Sequence, residues 1–171
     1  RMTTGTENTL IGAAAGDAMT GANKNVAVGK DAAGATTIGA QNVAIGHSSL
    51  STNTNGDKAT AVGTDALAAQ NPATAGDTLN TAIGHSAGKA VTTGISNTIV
   101  GGRAGDALTD ADFNVAIGMD ALTADTLGSG STAIGLGALS TQNFTTATNV
   151  YNVAVGFQAG LSVTTGYSNT L

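Results

Sequence analysis

Two histidines and ten aspartates are the side chains in this 171-residue chain best suited to bind a metal or move a proton. His47 and His85 each follow a glycine, Gly46 or Gly84, that closes a recurring phrase. Elsewhere the same place holds Ala13, Lys30, Thr64, Gly102, Met119, Leu136 or Phe157, a range that fits a solvated turn and not a ligand site. Asp31, Asp65 and Asp120 share the next place but stand two or more repeats apart, roughly 10 Å or farther at a strand-stacking rise, too far to chelate one ion. Asp110 and Asp112 could hold calcium weakly, yet the Gly-Gly-x-Gly-x-Asp pattern of calcium-binding rolls is missing.

The stretch Gly84-His85-Ser86-Ala87-Gly88-Lys89-Ala90 superficially matches a phosphate loop. It is one residue short between its glycines and has Ala90 where a hydroxyl must meet magnesium. No Ser-His-Asp set is singled out by spacing, and cysteine is absent, which removes thiol nucleophiles, disulfides and thiolate metal sites. Asn143-Phe144-Thr145 is a glycosylation triplet in a threonine-rich chain. The expectation is a protein with no catalytic residues, no cofactor and no metal.

What organises these residues is the phrase Asn114-Val115-Ala116-Ile117-Gly118, which recurs along the chain. Its glycines are Gly12, Gly29, Gly46, Gly63, Gly84, Gly101, Gly118, Gly135 and Gly156, in steps of 17, 17, 17 and 21 that repeat to give a super-period of 72 residues. A fixed short period marks a stacked array. With the glycine at position 0, position −1 is always Val or Ile and −3 is always Thr or Val, while −2 is mostly Ala. Alternation places −1 and −3 on one face and −2 and 0 on the other. The branched residues at −1, often −3, and sometimes +4 are expected to form a narrow core, leaving the small-residue face to pack against neighbouring chains.

Position −4 is asparagine at Asn8, Asn25, Asn42, Asn80, Asn97, Asn114, Asn152 and Asn169, with Ala59 and Ser131 as exceptions, and stacked asparagines can form an amide ladder. Position +3 is Ala or Ser throughout, as at a tightly packed site. Glycine at +10, as in Gly39, Gly94 and Gly166, is read as a turn residue with positive φ. Each coil is therefore expected to contain two short strands and two turns, and nine coils at about 4.8 Å should make a rod of roughly 45 Å. The fold class is all-β: a parallel β-solenoid of 17-residue coils, one continuous array over residues 1–171.

The longer coils carry four extra residues within Asn71–Asp77 and Asn143–Asn149. Insertions in a solenoid become loops, so Pro72, Asp77, Phe144 and the nearby Tyr151 are the candidate surface-contact residues. Charged residues are only 10% with a net charge of −5, and aromatics are 3%, so the basic stripe and stacking platform of nucleic-acid binders are both lacking. No apolar run approaches about 18 residues, and no charged-then-apolar leader opens the chain, so membrane insertion is not expected. Thr3–Leu10 matches Thr164–Leu171 where the next Ile-Gly is due, as in a segment of a longer fibre.

The phrases Asn80-Thr81-Ala82-Ile83-Gly84 and Asn152-Val153-Ala154-Val155-Gly156, with the Thr92-Thr93-Gly94 turn, resemble the repeats of bacteriophage tail fibres and of trimeric autotransporter adhesin heads. The resemblance implies a parallel β-roll in an intertwined or bundled homotrimer, extracellular, at a cell surface or on a virion, serving as a shaft or receptor-binding segment. The expected partners are other copies of the chain, as a homotrimer or a head-to-tail filament, and a cell-surface glycan or receptor met through the loops. The alternatives are a self-assembling extracellular filament subunit and an ice- or surface-binding solenoid that uses its threonine column.

Overall fold

A computed structural model describes residues 4–171; residues 1–3 of the expected array, with Thr3 of the matched start, lie outside the described residues. The strands are β1 (Thr9–Ile11), β2 (Val26–Val28), β3 (Val43–Ile45), β4 (Gly56–Asp57), β5 (Thr60–Val62), β6 (Gly76–Asp77), β7 (Thr81–Ile83), β8 (Thr98–Val100), β9 (Val115–Ile117), β10 (Gly128–Ser129), β11 (Thr132–Ile134), β12 (Thr148–Asn149) and β13 (Val153–Val155). Nine of them form one parallel sheet in the order β1-β2-β3-β5-β7-β8-β9-β11-β13. The register follows the repeat: Thr9 lies against Val26, Val43 against Thr60, and Thr60 against Thr81 across the longer coil. The chain is an all-β parallel solenoid of 17-residue coils.

Only one three-residue strand per coil forms, against the two expected. A second parallel pairing occurs where the long coils begin and end, β4 with β6 and β10 with β12. On the other sides, single backbone hydrogen bonds join one coil to the next, such as Gly16 N to Ala32 O at 2.9 Å and Thr109 N to Thr126 O at 2.9 Å. Tight corners explain this economy. Residues at −5, +2 and +4, among them Lys24, Asp31 and Leu50, lie at φ near +50 to +60, so the chain turns before a longer strand can extend.

The faces of the sheet are the reverse of the expectation. The alanines at −2, including Ala27, Ala44, Ala61, Ala116 and Ala154, are fully buried inside the coil, with the −4 asparagines from Asn25 to Asn152 and the +3 Ala/Ser column from Ala15 to Ala138 buried beside them. The branched residues at −1 and −3 point outward: Ile11 is 59% exposed, Ile45 38% and Val155 59%. A 17-residue coil encloses too narrow a space for two branched side chains from the same strand. Methyl groups fit, and interiors pack to crystal-like density.

The remaining interior is filled by trading volume between columns. Position +7, which the spacing of the phrase does not single out, is buried as Met19, Thr36, Asn53, Gln70, Val91, Leu108, Asp125 and Gln142. Where +4 is glycine, +7 is a large apolar residue; where +4 is Leu50, Leu67, Leu122 or Leu139, +7 is polar. Ile99, the one large residue at −2 among the buried members of that column, is accommodated by Gly88, where an added Cβ would lie 2.8 Å from its Cδ1.

The phrase glycine is required twice over. Gly118 has φ +130, and a Cβ there would lie 2.5 Å from the carbonyl oxygen of Gly135 in the next coil. The +10 glycines differ from expectation: Gly39 is absent from the positive-φ residues, and its Cβ would instead lie 2.6 Å from Gly56 O. Close backbone approach, not handedness, selects glycine there.

Candidate interaction face

The sheet's outer surface is built from four columns, because alternate residues of an extended segment share a face. These are −5, −3, −1 and +1. In the coil closed by Gly118 they are Phe113, Val115, Ile117 and Met119; in the coil closed by Gly156 they are Tyr151, Val153, Val155 and Phe157. Phe113 is 61% exposed, Tyr151 59% and Phe157 72%, so a band of large apolar side chains lies on the surface. Its apolar part is the Val/Ile column at −1 along all nine coils, joined on the upper coils by Leu79, Phe113, Met119, Leu136, Tyr151 and Phe157.

Behind this face the asparagines hold the coils in register. Asn97 Oδ1 accepts from Asn114 N at 2.9 Å, and Asn97 Nδ2 donates to Ala111 O at 2.8 Å. The same two bonds recur at Asn25 with Asn42 N and Gly39 O. Asn8, Asn42, Asn80, Asn114 and Asn152 likewise donate to a carbonyl 14 residues on. Direct amide-to-amide bonds occur at some steps, for example Asn169 Nδ2 to Asn152 Oδ1 at 3.0 Å. The principal partners are backbone groups of the next coil, which a buried coil could not otherwise satisfy.

The exceptions Ala59 and Ser131 fall where the long coils begin, and glutamine takes over there. Gln70 Oε1 accepts from Asn80 Nδ2 at 2.9 Å, and Gln142 Oε1 accepts from Asn152 Nδ2 at 2.8 Å. Ser131 Oγ and the buried carboxylate of Asp125 both accept from Gln142 Nε2, at 3.1 and 2.6 Å. Asp125 Oδ1 also accepts from Gly128 N and Phe144 N. The signal was in the sequence: Gln70 and Gln142 stand 72 residues apart, in step with the two missing asparagines.

The candidate loop residues do not gather into one site. Asp77 is exposed and pairs with Lys58 Nζ at 2.7 Å, which raises the Lys58 pKa through that hydrogen bond and its charge. Pro72 lines a shallow hollow of about 320 Å³ with Asp77, Thr93 and Ile95. Phe144 departs from its expected role: it is buried, only 8% exposed, and its backbone N–H donates to Asp125 Oδ1 at 2.9 Å. Tyr151 belongs to the sheet face and lies over Gly130, where a Cβ would come within 2.9 Å of its ring.

The acidic residues are engaged by the protein itself. Asp110 accepts from Thr93 Oγ1 at 2.6 Å, and Asp112 from Ile95 N at 2.7 Å. Asp120 accepts twice from Arg103, at 2.7 and 2.8 Å, and this pair, chiefly its hydrogen bonds, holds the Asp120 carboxyl below its ordinary value. Asp31 and Asp65 pair with Lys30 and Lys89. His47 and His85 are exposed, and no cluster of three potential metal ligands occurs among the described residues. No family model matches the sequence, and neither a curated protein nor a solved structure does so. The class is therefore defined by geometry alone: a rod-like, repetitive parallel β-solenoid with one apolar outer face.

Proposed function

We propose that this chain is a non-catalytic structural and adhesive fibre segment whose copies associate through the outer face of the sheet as a homotrimer. The observation that carries the reading is the outward column of Val and Ile at −1, flanked on the upper coils by the exposed Phe113, Met119, Leu136, Tyr151 and Phe157. Monomeric proteins rarely leave so large a contiguous apolar patch in water. Burying it against identical chains leaves the opposite sides, with the loops around Pro72–Asp77 and Thr145–Asn149, facing outward. There they are free to meet a cell-surface glycan or receptor, in an extracellular, cell-surface or virion setting. A head-to-tail filament subunit, the alternative, would grow instead through its end coils.

The ice-binding alternative has less support. The threonine column at +8 spends its hydroxyls along the axis: Thr92 Oγ1 donates to Thr109 O at 3.3 Å and Thr109 Oγ1 to Thr126 O at 3.0 Å. Hydroxyls bound to protein carbonyls do not present a free lattice to water. Light scattering with small-angle X-ray scattering tests the fibre reading. The expected result is a rod of three times 16.4 kDa, and a stable folded monomer would overturn it.

A further inference from the structure

The two edges of the apolar face, columns −5 and +1, both pass from polar to apolar going up the rod, the −5 edge at the fifth coil and the +1 edge at the seventh, after His85 and Gly102. On the lower coils the −5 edge is Glu7, Lys24, Gln41 and Lys58, and the +1 edge carries Lys30, His47 and Thr64. From the fifth coil upward the −5 edge is Leu79, Phe113 and Tyr151 with small residues between, while the +1 edge ends in Met119, Leu136 and Phe157. Leu79 is 52% exposed, Met119 49% and Leu136 42%, so the upper edges are open to a partner.

When copies surround an axis parallel to the rod, the −5 edge of each adjoins the +1 edge of the next. In a parallel, in-register arrangement aromatic then meets apolar and the lysines stay together at the polar end, where Lys30 has its own counterion in Asp31 at 3.2 Å. An antiparallel arrangement would set Lys24 and Lys30 against the apolar rungs near Leu136 and strand two ammonium groups on apolar surface, at a desolvation cost. Shape agrees. Gly102 leaves a hollow of about 220 Å³ between His85, Arg103 and Met119, and nothing lies within 4 Å of where its Cβ would be. The side chain that a parallel neighbour brings to that edge, at the height of Met119, is Phe113.

We infer that the upper coils hold the parallel, in-register copies together: Phe113 of one copy seats beside Met119 in the Gly102 hollow of the next, and Tyr151 meets Phe157. This rests on the self-association reading above and adds its anchor. The absence of cysteine supplies the test. A chain carrying Phe113→Cys and Met119→Cys has its two cysteines on opposite sides of strand β9, on the order of 10 Å or more apart, beyond the roughly 7 Å Cα separation a disulfide allows. Any disulfide must then join different copies.

Mild oxidation is expected to give closed covalent oligomers whose size counts the subunits. Phe113→Ser with Phe157→Ser is expected to raise the concentration for half-assembly at least about 30-fold, as loss of interface anchors does. Ile11→Ser with Val28→Ser, at the polar end, should change it by less than about 5-fold. Circular dichroism of each variant checks that the solenoid is intact. A double-cysteine chain that assembles as the wild type does yet forms no interchain disulfide, or an assembly dissociated by the polar-end pair and not by the aromatic pair, overturns the inference alone. A wild type that remains monomeric at all concentrations overturns the fibre reading and this inference together.

Discussion

Replacing Gly118 by alanine tests whether coil stacking depends on close backbone approach. Two costs add at this site. Alanine at φ +130 lies in a region that only glycine occupies readily, a strain of about 1–3 kcal/mol. Its Cβ would also lie 2.5 Å from Gly135 O and 2.6 Å from Gly135 C, so the next coil must move away by most of an ångström, and overpacking of this kind costs about 1–3 kcal/mol more. Gly39 separates the two contributions. It does not have positive φ, but its Cβ would lie 2.6 Å from Gly56 O. Gly39→Ala should therefore show only the overpacking, and Gly118→Ala should exceed it by about 2 kcal/mol of backbone strain.

Urea unfolding followed by circular dichroism gives the global change. Stability in an array is distributed over coil interfaces, so hydrogen exchange of the Gly135 and Thr132 amides is read alongside. Gly135 N donates to Ile117 O at 2.7 Å, the bond closest to the substituted carbon. A negligible cost at Gly39 would refute the reasoning, because φ alone would then account for the recurrence of the phrase glycine within this chain.

Three further outcomes follow from the buried polar groups and one surface pair. Asn97→Ala orphans Asn114 N and Ala111 O, and should cost about 2–4 kcal/mol in urea melts. Asp125→Ala removes the acceptor for Gly128 N, Phe144 N and Gln142 Nε2 and should cost about 3 kcal/mol or more. Asp125→Asn, which reproduces Asn53 of the preceding super-period, should cost less than about 1.5 kcal/mol. The Arg103–Asp120 pair lowers the Asp120 pKa, so its contribution is present above the ordinary carboxyl value of 3.8 and is lost as pH falls through the lowered one. The small difference in thermal midpoint between wild type and Arg103→Leu should be present at pH 7 and vanish near pH 2; a difference that persists in acid contradicts the pairing.

The period, the parallel stacking and the sites of the insertions were all legible in the sequence, because each depends on counting between glycines such as Gly101 and Gly118. Which face of the strand turns inward was not. Alternation groups Val115 with Ile117 and sets them apart from Ala116, but it is neutral about direction. The usual preference for burying branched residues then points the wrong way in a coil too narrow to hold them. A cue did exist: Asn114 and Ala116 share a face, and an asparagine missing only at Ala59 and Ser131, beside an alanine column, fits an interior where backbone groups need partners. The +7 column was hidden by its mixed content, since Met19, Asn53 and Asp125 look unrelated until their neighbours at +4 are known. Phe144 was misplaced for a similar reason, because the carboxylate that its backbone N–H meets lies 19 residues earlier.

The alternation of glycine and leucine at +4 sets how the length of such a rod can change. Gly88 and Gly105 make room for Ile99, and Leu122 and Leu139 fill the next two coils, so the interior returns to its starting shape only after four coils. Duplication or loss of a whole 72-residue block would join matching ends and alter the rod by about 19 Å. Loss of a single 17-residue coil, such as the one from Gly84 to Val100, would remove Ile99 and set Gly105 directly above Leu67, leaving a void on one side of the seam. The rod is in this sense a ruler with one permitted graduation, and its length should vary between related chains in whole blocks.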